Sequence, residues 1–365
     1  MEMNSTEIKV IEKDENNSET SLDDEKTIFQ KIISNSFLVL IAKKALFYFI
    51  VFFVAISLTF LIPRLANPDV LDYIGSVGSS LSESEQQLLK DELSSYFAYG
   101  KPLWIQYGQF LYEFFFHGSL GLSSMQNTIL KPVTEIVGRA LPFTLMLAFP
   151  TLILSFYIGN WIGAWVGYKE NGGRKVVYWI VMILQAAPFY WLAYVFLDVL
   201  VLRWGLFPWG ESIPAMSWDW EVIQVIMSNF WFPFIVLVIT NIGGWSSGAR
   251  SLMVYEKGEG YILYSQKLGF KESKLRSYAY HNSILPQFTG INLRFNGLIG
   301  QSLVLERLFG WPGLGDMMIE SSIQGDPAMI IGTFLVVILV IVIGNFIIDI
   351  CYGIIDPRIR IGGGE

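Results

Sequence analysis

Cysteine is nearly absent from this 365-residue chain: Cys351 stands alone, which excludes an intramolecular disulfide and any cysteine cluster. Histidine is almost as scarce, with only His117 and His281, so metal chemistry has few ligands to draw on. No metal site and no catalytic residue is expected, because an intramembrane enzyme would need a convergent nucleophile, base or metal set that these two residues do not supply. A G-x-x-x-x-G-K-S/T phosphate loop is missing too, so the chain should not bind ATP itself. Charged residues make up only 16% of the sequence, against 53% apolar ones. The amino terminus lacks the basic start and short apolar core of a cleaved signal peptide.

The apolar residues are gathered into long runs. A bilayer core of about 30 Å needs roughly 20 uncharged helical residues to cross it. Runs free of Asp, Glu, Lys and Arg at 45–63, 141–167, 176–197, 222–248 and 330–348 meet that need. A sixth, 284–305, is apolar apart from Arg294 and a few amides. The fold expected is an all-α membrane protein with six transmembrane helices at 45–63, 141–167, 176–201, 222–248, 284–305 and 329–350, since lipid cannot satisfy open backbone groups. Residues 141–360 form the membrane domain, 64–140 an extracellular cap between helices 1 and 2, and 254–283 a cytoplasmic element between helices 4 and 5.

Charge placement sets orientation. Lys169, Arg174 and Lys175 lie between the second and third spans, and Arg250, Lys257, Lys267, Lys271, Lys274 and Arg276 between the fourth and fifth. The opposite short loops carry only Arg203 and Arg307. Both termini are therefore expected in the cytoplasm of a multi-pass cell-membrane protein. The first 25 residues hold nine acids against Lys9 and Lys13, which reads as a solvated acidic tail over 1–34.

Smaller features follow. Ser82 and Glu85 form a capping box in the cap. The aromatic stretch Trp104, Tyr107, Phe110, Phe114 and Phe115 suits either the membrane interface or the cap's own core. Gly159, Gly163 and Gly167 recur at the spacing of close helix packing. Pro150, Pro188 and Pro233 interrupt spans and predict kinks.

The segment 258–286, GEGYILYSQKLGFKESKLRSYAYHNSILP, mixes basic and apolar residues as a short docking helix would, although a solvated loop is the plainer reading. Its Gly269, Asn282, Leu285 and Pro286, with Tyr261 opening the helix, resemble the signature of ABC-importer permeases in the spacing of the dipeptide/oligopeptide permease family. Residues 306–315, ERLFGWPGLG, resemble that family's outer-loop motif through Trp311, Pro312, Gly313 and Gly315. Residues 349–360 resemble its C-terminal signature through Asp349, Tyr352, Asp356, Pro357 and Arg358. The resemblance runs from about 45 to 360.

It implies a permease subunit of an ATP-driven, binding-protein-dependent importer working by alternating access. The implied partners are a second, related permease, two ABC ATPases that bind the ATP and Mg, an extracellular solute-binding protein and the lipid bilayer, with no nucleic acid. The ATPase-coupling residues would be Tyr261, Gly269, Phe270, Lys271, Lys274 and Leu275. A polar residue within a span is a functional candidate by default. Arg294, Gly297 and Gln301 share a helix face that could line the pathway, the rival being a structural pair of Arg294 with Asp198 or with the partner. Glu306 is placed to hold the 311–315 loop. Peptide and oligosaccharide both fit as cargo, because Trp209, Trp218, Trp220 and Trp231 could stack on sugars or merely mark an interface. The alternative class, a secondary transporter or channel working without ATPases, should show a coupling carboxylate or an internal repeat, and neither is evident.

Overall fold

A computed structural model describes residues 38–62, 101–123, 131–208, 213–214, 219–324 and 326–355. The acidic tail, the 82–85 capping box, Trp209, Trp218 and the residues Asp356, Pro357 and Arg358 lie outside these. The chain divides into two compact units, 52–344 and the paired segments 1–51 and 345–365.

The described residues are almost entirely helical: α1 (Leu38–Ile62), α2 (Leu103–His117), α3 (Val133–Tyr168), α4 (Gly172–Ala186), α5 (Phe189–Phe196), a π-helical turn (Leu197–Arg203), α6 (Trp220–Glu256), α7 (Gly260–Lys267), α8 (Glu272–Thr289), α9 (Ile291–Phe309), α10 (Leu314–Gln324) and α11 (Pro327–Ile355). A two-residue hairpin pairs β1 (Leu122–Ser123) with β2 (Lys131–Pro132), Leu122 opposite Pro132. Among these helices, α1, α3, α6 and α11 are long and apolar enough to cross a membrane, and a fifth span results if the bent α4–α5 pair counts as one.

Two expected spans take a different form, and two more are parts of longer helices. The third, 176–201, is broken: α4 and the α5 segment meet at 105°. Pro188 is the cause, because a residue preceding proline is driven out of the helical region, and Ala187 is extended at φ −74°, ψ 142°. The expected fifth span, 284–305, begins inside α8, which runs through Pro286 to Thr289, and continues in α9 after Gly290. The fourth reaches Glu256, so the 254–283 element starts within α6 and then divides into α7 and α8. Likewise α3 begins at Val133, inside the stretch assigned to the cap. Pro150 and Pro233 do not end α3 or α6.

The larger unit is built on the α3–α6 pair, its most extensive helix contact. The reason lies in glycine. A Cβ on Gly159 would meet Trp245 and the Ile242 carbonyl, one on Gly163 the Ser246 carbonyl, and one on Gly167 the Arg250 carbonyl and Met253. With no side chain at these turns the backbones approach closely, and van der Waals contact replaces the hydrophobic effect that lipid cannot supply. Phe143, Leu147, Leu237, Leu298, Leu305 and Trp311 complete the core from α3, α6, α9 and the loop after it. The aromatic helix α2 packs on the first span: Phe110 lies 5.1 Å from Phe60, and Tyr107 hydrogen bonds Ser57 at 2.6 Å.

In the smaller unit, Asp349 of α11 receives Lys44 Nζ at 2.7 Å and the Tyr48 hydroxyl at 3.0 Å from α1, and Tyr48 packs edge-on against Phe346.

Candidate coupling surface and polar track

The element α7–α8 is a helix, a tight turn and a longer helix. α7 stops because Gly269 adopts φ +82°, the left-handed region that residues with a Cβ rarely enter. Its N–H donates to the Gln266 carbonyl at 3.0 Å, and the Phe270 N–H to that of Ser265 at 3.2 Å, which satisfies carbonyls the helix end leaves open. A Cβ here would meet nothing within 4 Å, so conformation rather than crowding calls for glycine.

One side of this element is an anchor. Ile262, Leu275 and Ala279 are buried, and Ile262 and Ala279 cluster with Ala164 of α3 and Met253 of α6. The other side is open: Leu263, Tyr264, Leu268 and Phe270 are exposed, with Lys271 beside them and Lys274 Nζ 5.2 Å over the Phe270 ring. An exposed apolar patch of this kind is typical of surfaces that contact a protein or a membrane. Leu275, expected among the coupling residues, sits in the anchor.

Two residues assigned to different motifs are brought together. The Asn282 side chain of α8 donates to the Tyr261 hydroxyl of α7 at 2.7 Å, and that hydroxyl donates to Glu256 at 2.6 Å. Burial, and secondly the hydrogen bond to Glu256, raise the Tyr261 pKa, so the phenol stays protonated as a donor. Nearby, Glu170 binds Arg250 and, at 3.4 Å, Lys175. The hydrogen bond from Arg250 holds the Glu170 carboxyl below its ordinary range.

At the far end of α9, Glu306 organises the 311–315 loop. Its carboxylate accepts from the Gly315 N–H at 2.7 Å and its carbonyl from the Trp311 N–H at 2.8 Å. The Trp311 indole donates to the Phe143 carbonyl at 3.0 Å, and Thr144 accepts from the Leu314 N–H at 2.8 Å. Gly313 abuts the Glu306 carboxylate and Thr144, and Gly315 abuts the Leu303 backbone, so neither position has room for a side chain. Pro312, between Trp311 and Gly313, is half-buried. Arg307 pairs with Asp316 and Glu320, both at 2.9 Å.

Arg294 and Gln301 of α9 both reach α6. The Gln301 side-chain carbonyl accepts from Asn241 at 3.0 Å, and Arg294 Nη2 donates to the Gly244 carbonyl at 2.6 Å. Asp198 pairs instead with Arg203 at 2.7 Å. Gly297 is exposed, with nothing within 4 Å of where its Cβ would be. A feature that sequence reasoning passed over surrounds these groups: on α6, Gly243, Gly244 and Gly248 form notches into which Gln185, Arg294 and Gln287 lie, each where a Cβ would stand. The signal was available, as three glycines within one charge-free run and amides inside apolar spans.

Residues 159–361 match the family described as binding-protein-dependent transport system inner membrane component. The chain is similar to the oligopeptide transport system permease protein AppB of Bacillus subtilis, 29% identical over 307 residues that cover 83% of this chain and 93% of that protein. It is also similar to the probable D,D-dipeptide transport system permease protein DdpB of Escherichia coli, 27% identical over 84% of this chain and 93% of the relative. The dipeptide transport system permease protein DppB of Lactococcus lactis is 27% identical over 72% of this chain and 84% of its own length.

Proposed function

The chain belongs to the family of binding-protein-dependent transport system inner membrane components, and on that premise we propose that it is one of two permease subunits of an ATP-driven importer of peptides. Family membership makes it a transport component rather than an enzyme. In this reading it pairs with a second, related permease, a solute-binding protein delivers cargo outside, and two ATPases bind ATP and Mg inside. The relatives named above are peptide permeases, which favours peptide over oligosaccharide.

The observation that carries the reading is the α7–α8 element. Tyr261 and Leu275 anchor it, and Gly269 turns it, leaving Phe270, Lys271 and Lys274 on the open side. A short helix gripped from behind and apolar in front transmits force as a rigid lever, so closure of the ATPases around ATP would move α8, and with it α9. Six spans result when α4–α5 counts as the third and the end of α8 with α9 as the fifth. The basic loops then lie in the cytoplasm with both termini. Arg294, Gly297 and Gln301 line the pathway, and α2 and the hairpin contribute to the outer cap.

The test is purification of the tagged chain from its native membrane, with identification of what accompanies it. A second permease and ATPases are expected, and Gly269→Val should abolish cargo-stimulated ATP hydrolysis while leaving the spans assembled. Recovery of this chain alone, carrying solute in liposomes without ATPases, would sink the proposal.

A further inference from the structure

Arg294 lies in α9, read above as part of the fifth span, and has no counter-ion there: among the described residues no carboxylate lies within ion-pair distance of it. Such a charge is expensive to keep unless it serves a purpose. Its guanidinium is held in a defined place. The carbon lies 4.2 Å over the Trp245 ring, a cation–π contact that offsets part of the lost hydration. Nη2 donates to the Gly244 carbonyl at 2.6 Å, and a Cβ on Gly244 would overlap Nη1, so the glycine notch is what admits the group. Of the five N–H donors an arginine carries, this hydrogen bond uses one. One turn along α9, Gly297 is exposed with empty space beside it. The guanidinium is thus held on one side by Gly244 and Trp245, the side chain is partly exposed, and its other donors have no hydrogen-bond partner among the described residues, an arrangement that suits a carboxylate, which an arginine can bind through two parallel hydrogen bonds.

We infer that Arg294 is the residue of the pathway that recognises a carboxylate of the cargo, the free C-terminal carboxylate of a peptide being the one every unblocked peptide carries. This rests on the peptide-import reading above. The guanidinium waits on Gly244 and Trp245, and an arriving carboxylate takes up its unused donors.

The experiment reconstitutes the whole complex with its binding protein in liposomes and measures uptake of one peptide with a free C-terminus and of the same peptide amidated. The quantity read is the ratio of the two uptakes in wild type and in Arg294→Gln. A preference set by the binding protein is unaffected by this substitution, whereas loss of one charge-assisted recognition should lower the ratio about tenfold. Arg294→Lys, which keeps the charge, should retain part of the preference. An unchanged ratio, with both uptakes reduced alike, is what a structural pair with the partner permease gives, and it overturns the inference. Should Arg294→Gln fail to assemble, Gly244→Ala, which displaces the guanidinium and keeps its charge, takes its place: a lowered ratio supports the inference and an unchanged one overturns it. Uptake of neither peptide by the wild-type complex would instead refute peptide import, and the inference with it.

Discussion

At the scale of single residues, glycine decides more here than any charged group, and for separate reasons. Gly269 is required by its backbone angle, Gly315 by its neighbours, and Gly297 by neither, since its φ is helical and its surroundings are open. These differences order the outcome of one substitution. Gly315→Ala drives a methyl group into the Leu303 backbone and breaks the Gly315–Glu306 hydrogen bond, leaving a buried carboxylate short of a donor. A loss of about 3 kcal/mol or more is expected from overpacking and the orphaned group together. Gly297→Ala should leave stability within about 1 kcal/mol of wild type or raise it, because alanine is the better helix former. Thermal unfolding of the detergent-solubilised protein separates the two, and equal losses would mean that the 311–315 loop does not depend on this contact.

At the scale of elements, one hydrogen-bonded relay couples α7 to α8 and to the end of α6. Asn282 donates to Tyr261, which donates to Glu256. Tyr261→Phe and Asn282→Ala each remove the same link, so their effects on the midpoint of unfolding should be less than additive, with a coupling of about 0.5–1.5 kcal/mol. Additive losses would show that the two residues act separately. The bent third span is a second element-scale matter. Pro188 was legible as an interruption, as were Pro150 and Pro233, yet only at Pro188 does the helix end, while at the other two it runs on. A proline's effect depends on whether neighbouring helices re-satisfy the carbonyl it frees, and that information is tertiary.

At the scale of the whole molecule, the distribution of Lys and Arg makes a topological claim that the lone cysteine renders testable. In a Cys351→Ser background, a cysteine at position 257 should react only with a reagent that crosses the membrane. One at position 203 should react with an impermeant reagent applied outside. The reverse pattern would place α7–α8 outside, where no ATPase could reach it, and would remove the basis for the coupling role.

The sequence by itself determined that this is a multi-pass helical membrane protein, because charge-free runs of bilayer length have no other stable form. Its motifs determined the family. It also singled out Glu306 as the holder of the 311–315 loop and the glycines of α3 as packing residues, since both follow from local spacing. What only the tertiary structure decided is where polar groups go once two helices meet. Arg294 lies on Trp245 and Gly244 instead of Asp198, Leu275 faces inward, and Asn282 meets Tyr261. Each is a contact between residues distant along the chain, and spacing within one helix says which face a side chain occupies but not which neighbour comes to stand opposite it.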